Sequence, residues 1–226
     1  MKIVLLGHGV VGAGVFELCA QHKDMEIVGV LCKDPENVPD GKGFSDITPL
    51  LQDKTVDTVV EVMGGLHPAY ELVCTALQHG KNVVSANKYL ICHYYKELTN
   101  LACQHGAALR CTAAVGGGIP WLVNLQRARR CDTVRRISGI MNGTTNYILS
   151  TMHAQPLSFG DVLAEAQRLG YAEADPTADV DGLDIRRKLA ISANVAFDCC
   201  ITEEDIDTFG IRNIQDRDIA LLKAHG

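Results

Sequence analysis

KIVLLGHGVVG, Lys2 to Gly12, decides the fold: an apolar run meets a glycine-spaced turn and passes directly into an apolar helical stretch. Gly7 allows a tight turn, Gly9 lets backbone approach a pyrophosphate, and Gly12 lets helix and strand pack closely. The helix N-terminus, entered through Val10 and Val11, then faces the phosphates with its free N–H groups. Six residues of this kind are a weak signal alone. Placed on strand, turn and helix they predict a dinucleotide site, with His8 a tolerated variable position inside the turn.

Outward from that unit, short apolar runs alternate with helical patterns, the mark of parallel strands joined by crossover helices. Strands are expected at Lys2 to Leu6, Glu26 to Leu31, Asp57 to Met63, Asn82 to Ser85 and Ala108 to Ala114. Helices are expected near 12–22, 67–79 and 93–105, with Gly80 and Gly106 closing the last two. Residues 1–130 therefore read as a Rossmann-type, doubly wound parallel α/β domain. After GGGIP, Gly116 to Pro120, the pattern changes to a helix near 121–129 with Pro120 at its first position, a basic strand reaching Asn142, and then mostly helices. Ser158 with Asp161, and Thr202 with Asp205, have capping-box spacing. Residues 131–226 form the second region.

Composition limits the partners. The chain has 226 residues, 47% of them hydrophobic, enough for a sizeable core, and a formal charge of −6. That balance argues against nucleic acid and anionic membrane, both of which reward surplus Lys and Arg, and leaves small polar metabolites. The basic cluster of Arg127, Arg129, Arg130, Arg135 and Arg136 reads as a solvated or subunit-contact face. Nine scattered cysteines without a CxxC pair suggest neither a disulfide framework nor a zinc site, and Cys199 with Cys200 reads as core filler. The apolar run after Met1 is too short for a signal sequence or a membrane span, so a reduced cytoplasmic setting is expected.

Three further stretches carry chemistry. At the end of the second strand, where an acidic residue would hold a ribose 2′-hydroxyl, stand Lys33 and Asp34; the lysine favours NADP, the aspartate leaves NAD open. MGG, with Gly64 at its centre, and SANK, ending at Lys88, fall at strand ends that face the same crevice. GYAEADPTADVDGLDIRRK, Gly170 to Lys188, gathers Glu173, Asp179, Asp184 and Lys188 about a helix start expected near Asp181. Asp184 and Lys188 share a face four residues apart. Two readings stand: Asp181 caps while Asp184 and Lys188 form an exposed pair, or the acids converge on a substrate ammonium.

GHGVVGAGV, EVMGG, SANK, AAVGGGIP, GIMNGTTNYIL and GYAEADPTADVDGLDIRRKLAI stand in the order and approximate spacing of homoserine dehydrogenases, a family the chain resembles over essentially its whole length. The resemblance implies reduction of L-aspartate 4-semialdehyde to L-homoserine by NADPH or NADH, toward threonine, methionine and isoleucine. It makes Glu173, Asp179 and Asp184 the homoserine-binding acids and Lys188 the acid/base lysine. Gly170 and Tyr171 become the loop between substrate and cofactor, Lys88 a lysine beside both ligands, and Thr144 a further substrate contact. An ammonium offers charge and proton to a developing alkoxide, whereas oxidising homoserine needs the neutral amine and should be faster at alkaline pH.

The resemblance also implies a second, α+β domain for substrate binding and dimerisation, and a homodimer. It further implies a sodium or potassium ion on the carbonyls of Val115, Gly117 and Ile119. Thr112 stands where the family has a cation-binding glutamate, which predicts a weaker site. The chain stops at Gly226 after an apparent helix, where the family continues with strands that return to the cofactor domain. The sequence therefore reads as truncated, with no regulatory domain. The alternatives are an inactive NADP-binding or subunit-interaction protein, and another amino-acid or semialdehyde dehydrogenase on the same architecture.

Overall fold

A computed structural model describes residues 1–225. The strands are β1 (Lys2–Leu6), β2 (Glu26–Leu31), β3 (Gly43–Phe44), β4 (Thr58–Glu61), β5 (Asn82–Ser85) and β6 (Leu109–Arg110). Between them run α1 (Val10–Ala20), α2 (Thr48–Gln52), α3 (Ala69–Gln78) and α4 (Lys88–Gln104). Then follow α5 (Trp121–Cys131), α6 (Gly143–Ala154), α7 (Phe159–Arg168), α8 (Thr177–Val180), α9 (Leu183–Phe197) and α10 (Asp216–His225).

All strand pairs are parallel, in the order β3-β2-β1-β4-β5-β6. This is the expected doubly wound sheet, and the direction of winding reverses between β1 and β4, which opens a crevice beyond their carboxyl ends. β1 is apolar from Ile3 to Leu6 because both its faces are covered there. Ile3 and Leu5 join Ile27, Val30 and Cys19 on the α1 side; Val4 and Leu6 join Val59, Val83, Leu90 and Ile191 on the other. That second core also takes Leu122 and Leu125 of α5 and Val195 of α9, so α9 packs against the sheet domain. A third cluster, Ile148, Met152, Val162, Ala166 and Val180, holds α6, α7 and α8 together.

Several expectations shift. Helix α4 starts at Lys88 instead of near 93, because the Asn87 side chain caps it by accepting from the Leu90 N–H at 3.1 Å. Helix α9 starts at Leu183, after Gly182 in the left-handed conformation (φ 82°), and not near Asp181. Asp181 binds Arg212 Nε at 2.5 Å instead of capping. Pro120 precedes α5 as its cap residue. The basic strand before Asn142 does not form: residues 132–142 have no regular structure. A strand needs a neighbour's ladder, and here only Val134 and Ile137 touch the core. Cys199 and Cys200 lie beyond α9, half-buried and exposed, and are not core filler. The two-residue β3 and the short α2 carry too little pattern to be read in advance. The glycine expected to close the last helix is Gly226, outside the described residues.

Gly80 and Gly106 do follow α3 and α4, both with positive φ (71° and 64°). Ser158 caps α7 by accepting from Asp161 N–H at 3.2 Å, and Asp205 accepts from Thr202 N–H at 2.8 Å. The five arginines are exposed, as expected, with Arg129 also donating to the Val195 carbonyl at 2.8 Å. No helix among the described residues is long and apolar enough to cross a membrane.

A Cβ on Gly12 would lie 2.2 Å from the Gly7 carbonyl oxygen, whereas one on Gly9 would meet nothing within 4 Å. Gly12→Ala is therefore expected to lower stability by about 1–3 kcal/mol, and Gly9→Ala to leave it nearly unchanged. Urea midpoints measured side by side check this; equal midpoints for the two variants would contradict the packing described.

Candidate active site

Two hollows flank the crevice. The larger, about 790 Å³, is lined by Gly7, His8 and Gly9 of the first turn, Cys32, Lys33 and Asp34 after β2, and Met63 after β4. Gly7 takes φ 101°, a turn open to glycine, and its N–H donates to the Leu31 carbonyl at 2.9 Å. The first intrahelical bond of α1 runs from Ala13 N–H to the Gly9 carbonyl. The N–H groups of Val10, Val11 and Gly12 are thus the unpaired donors of a helix start, pointed where an anion would sit. The open space over Gly9 admits a phosphate as close as its backbone allows.

Across from it, charged groups from distant segments converge on Asp184, at 8% exposure. Lys88, the first residue of α4, gives its ammonium to Oδ1. Lys188, one turn along α9, places its Nζ 2.6 Å from Oδ2. Asn142, ahead of α6, donates to Oδ2 at 3.0 Å and to Asp179 Oδ1 at 2.7 Å. The Thr144 hydroxyl lies 2.8 Å from Asp179 Oδ2 and 2.7 Å from the Tyr171 carbonyl. Burial alone would raise the Asp184 carboxyl, but hydrogen bonds from Lys188, Lys88 and Asn142 outweigh it and hold the group below the ordinary carboxylate value.

Lys188 also donates to the Met141 carbonyl at 2.7 Å. An ammonium has three hydrogens, so one remains for the second hollow, about 390 Å³, which Lys188 lines together with Val115, Ile119, Trp121 and Asn142. The backbone behind Lys188 is held as well: its carbonyl accepts from Ser192 Oγ at 2.7 Å, and Ser192 accepts from Trp121 Nε1 at 2.9 Å. A charged donor fixed at the wall of a hollow can deliver a proton to an oxygen placed there.

Of the residues picked out from sequence, the structure gathers Lys88, Asp179, Asp184, Lys188 and Thr144 into one hydrogen-bonded centre. Gly7, Gly9 and Lys33 line the other hollow. Gly64 (φ 78°) sits in the turn after β4. Glu173 is exposed, and among the described residues its carboxylate bonds to neither Asp179 nor Asp184; its carbonyl holds the Gln167 side chain at 3.1 Å. Gly170 (φ 79°) closes α7, and the exposed Tyr171 ring stacks on Tyr147 at 4.7 Å. In the glycine loop, the Ile119 carbonyl already accepts from Trp121 N–H at 2.7 Å. Val115 is buried, and Gly116 and Gly117 take positive φ. Asn142, the Met141 carbonyl and the Trp121–Ser192 pair were not anticipated. Asn142 alone carried a local signal, as an N-cap residue three before Thr145, whose N–H it receives at 2.8 Å.

A family model described as "Homoserine dehydrogenase, NAD binding domain" matches residues 7–112, and one described as "Homoserine dehydrogenase" matches residues 120–226. The chain belongs to the homoserine dehydrogenase family. A curated homoserine dehydrogenase from Synechocystis sp. is 42% identical over 232 residues, covering 97% of this chain and 54% of the relative. The solved homoserine dehydrogenase of Thiobacillus denitrificans superposes with a TM-score of 0.89 at 36% identity, covering 100% of this chain and 56% of that one. A hyperthermophilic archaeal homoserine dehydrogenase, solved in complex with NADPH, gives 0.82 at 25% identity, with coverage of 95% and 75%. The chain spans about half the length of the curated relatives it matches. The resemblance read from GHGVVG, NGTTNYIL and the Gly170–Lys188 segment is borne out, and with it a nicotinamide cofactor.

Because the folded Asp184 titrates below its unfolded value of about 3.9, its contribution to stability is present above that pH. It is lost as pH falls through the lower folded value. Asp184→Asn should cost about 1–3 kcal/mol at pH 7 by stranding buried partners, and the gap to wild type should close as pH falls below about 4. Urea midpoints at several acidic pH values measure this; a gap constant with pH would contradict the assigned ionisation.

Proposed function

We propose that this chain carries the catalytic centre of a homoserine dehydrogenase, interconverting L-aspartate 4-semialdehyde and L-homoserine. The observation that carries the reading is the pairing of two lysines on Asp184, with Lys188 at the wall of a hollow and a dinucleotide-type turn in the same chain. The donor set suits a nicotinamide dinucleotide: Gly7, Gly9, Val10, Val11 and Gly12 offer backbone to the pyrophosphate, and Lys33 stands where a 2′-phosphate would lie. Gly64, Lys88 and Gly170 complete the cofactor side. When bound, that cofactor supplies or removes the hydride.

The chain's own residues do the rest. Lys188 holds a proton at the substrate oxygen, giving it to the alkoxide on reduction and removing it from the hydroxyl on oxidation. Asp184 keeps both lysines in place, while Asp179 and Glu173 offer negative charge to the substrate's α-ammonium. Thr144 orients Asp179, and Lys88 stands beside both ligands, with Tyr171 covering the substrate. Lys33 favours NADP over NAD. A sodium or potassium ion would rest on the carbonyls of Val115, Gly117 and Ile119; with Thr112 supplying no carboxylate and the Ile119 carbonyl already engaged, we expect weak binding. We place the protein in the cytoplasm as a homodimer formed through residues 131–226, serving threonine, methionine and isoleucine synthesis. Residues 1–130 serve as its cofactor domain.

The test is purified chain with L-homoserine and NADP or NAD, followed by absorbance of the reduced cofactor. Oxidation releases a proton, so turnover should rise with pH, and Lys188→Ala should lower it on the order of 100-fold or more while cofactor titrations stay unchanged. A flat pH profile, or equal loss of cofactor binding, would count against Lys188 as the acid/base group. Lys33→Ala should weaken NADP and spare NAD; equal weakening would remove the 2′-phosphate assignment.

A further inference from the structure

At the carboxyl end of β4, Glu61 is fully enclosed. A buried carboxylate is costly unless donors meet it, and three neutral ones do. Its Oε1 accepts from Met63 N–H at 2.9 Å and from Asn87 Nδ2 at 3.2 Å; its Oε2 receives Ser85 Oγ at 2.6 Å. The directions are mutually consistent. Ser85 Oγ accepts from Asn87 N–H at 3.1 Å, which leaves the serine hydrogen for Glu61. Asn87 Nδ2 spends its second hydrogen on the Gly65 carbonyl at 2.7 Å, and its Oδ1 caps Leu90 N–H. One carboxylate thus fixes the Met63–Gly65 turn and the Ser85–Asn87 turn together.

The consequence lies one residue further on. Lys88 is the first residue of α4, and its ammonium is committed to Asp184, 96 residues away. The direction in which Lys88 leaves the sheet is set by Asn87, and the Asn87 amide is set by Glu61. A packed apolar side chain could hold the strand equally well. It could not receive donors from two loops at once.

We propose that Glu61 is a positioning residue. Through Asn87 it aims the start of α4 so that Lys88 meets Asp184, while the bond from Met63 N–H holds the carboxylate itself in place. The kinetic part of this inference rests on the reaction proposed above. Glu61→Gln keeps the volume but replaces an acceptor with an NH₂ group, which must oppose Met63 N–H, Asn87 Nδ2 or the Ser85 hydrogen.

The experiment has two arms on the full chain. In the first, Glu61→Gln should lower kcat for homoserine oxidation on the order of 100-fold, with little change in cofactor Kd. Added to Lys88→Ala it should cause no further loss, since both act through one group. Losses that multiply would overturn the proposal. In the second, needing no turnover, hydrogen exchange at the Leu90 amide should accelerate in Glu61→Gln by more than at the buried Val59 amide of β4, which reports any general loss of stability; exchange that rises no more at Leu90 than at Val59 would also overturn it. If wild type fails to oxidise homoserine, the reaction reading falls while the exchange arm still decides Glu61. Should Glu61→Gln not fold, Ser85→Ala, which removes a single donor, should show both effects in smaller measure, and their absence would be contrary evidence.

Discussion

Asp184 is one carboxylate with two ammonium groups on it, and the arrangement of the second half of the chain follows from keeping that contact. Two lysines side by side repel, and each resists burial. A shared anion removes both penalties only if α4 and α9 cross where Lys88 and Lys188 reach opposite oxygens of the same group. That crossing is secured by apolar packing, with Leu90, Ile91, Ile191 and Val195 in one core. At its far side α9 is braced by buried Glu203, which accepts from Arg187 Nε at 2.8 Å and Arg186 Nη2 at 3.1 Å. The ion cluster does not hold the helices together; the helices hold the ions at the separation where one carboxylate meets both ammonium groups.

Around that anchor, polar atoms are used more than once. Asn142 caps α6 with its oxygen and bridges Asp179 and Asp184 with its nitrogen, so the start of a helix and the alignment of two acids are one structural event. Asn87 does the same at α4, and both asparagines stand directly after an extended segment that enters the site. Lys88 and Thr144 are therefore carried on helix starts whose caps are themselves bonded to buried carboxylates, whereas Asp184 and Lys188 ride on α9, which follows Gly182 without a side-chain cap. Lys188 is held instead by Asp184 and the Met141 carbonyl, which leaves one of its hydrogens for the hollow.

What could be read in the sequence divides along physical lines. β1 was legible because both its faces are buried and its register of apolar residues is unbroken; Gly80 and Gly106 were legible because a left-handed residue after a helix is local chemistry. Asp184 with Lys188 was legible as a spacing of four, although whether the pair was buried depended on Lys88 and Asn142, which no local pattern connects to it. The strand expected before Asn142 failed for a related reason: alternation shows which residues can face a core, not whether a neighbouring strand exists to pair with. Asp181 looked like a cap, but Gly182 in a left-handed turn moves the helix start beyond it. Glu61 looked like the end of a strand, and its importance lies wholly in partners at Ser85 and Asn87.

On the proposed reaction, Asp184 acts on the chemistry through Lys188. The direct measurement is single-turnover reduction of L-aspartate 4-semialdehyde by NADPH, followed by loss of absorbance, in Asp184→Asn, Lys188→Ala and the double variant. A shared role predicts that the double variant is slowed by far less than the product of the two single losses, the remainder being what Asp184 does through Lys88. Rate losses that multiply would show that Asp184 and Lys188 act independently, and would contradict the account.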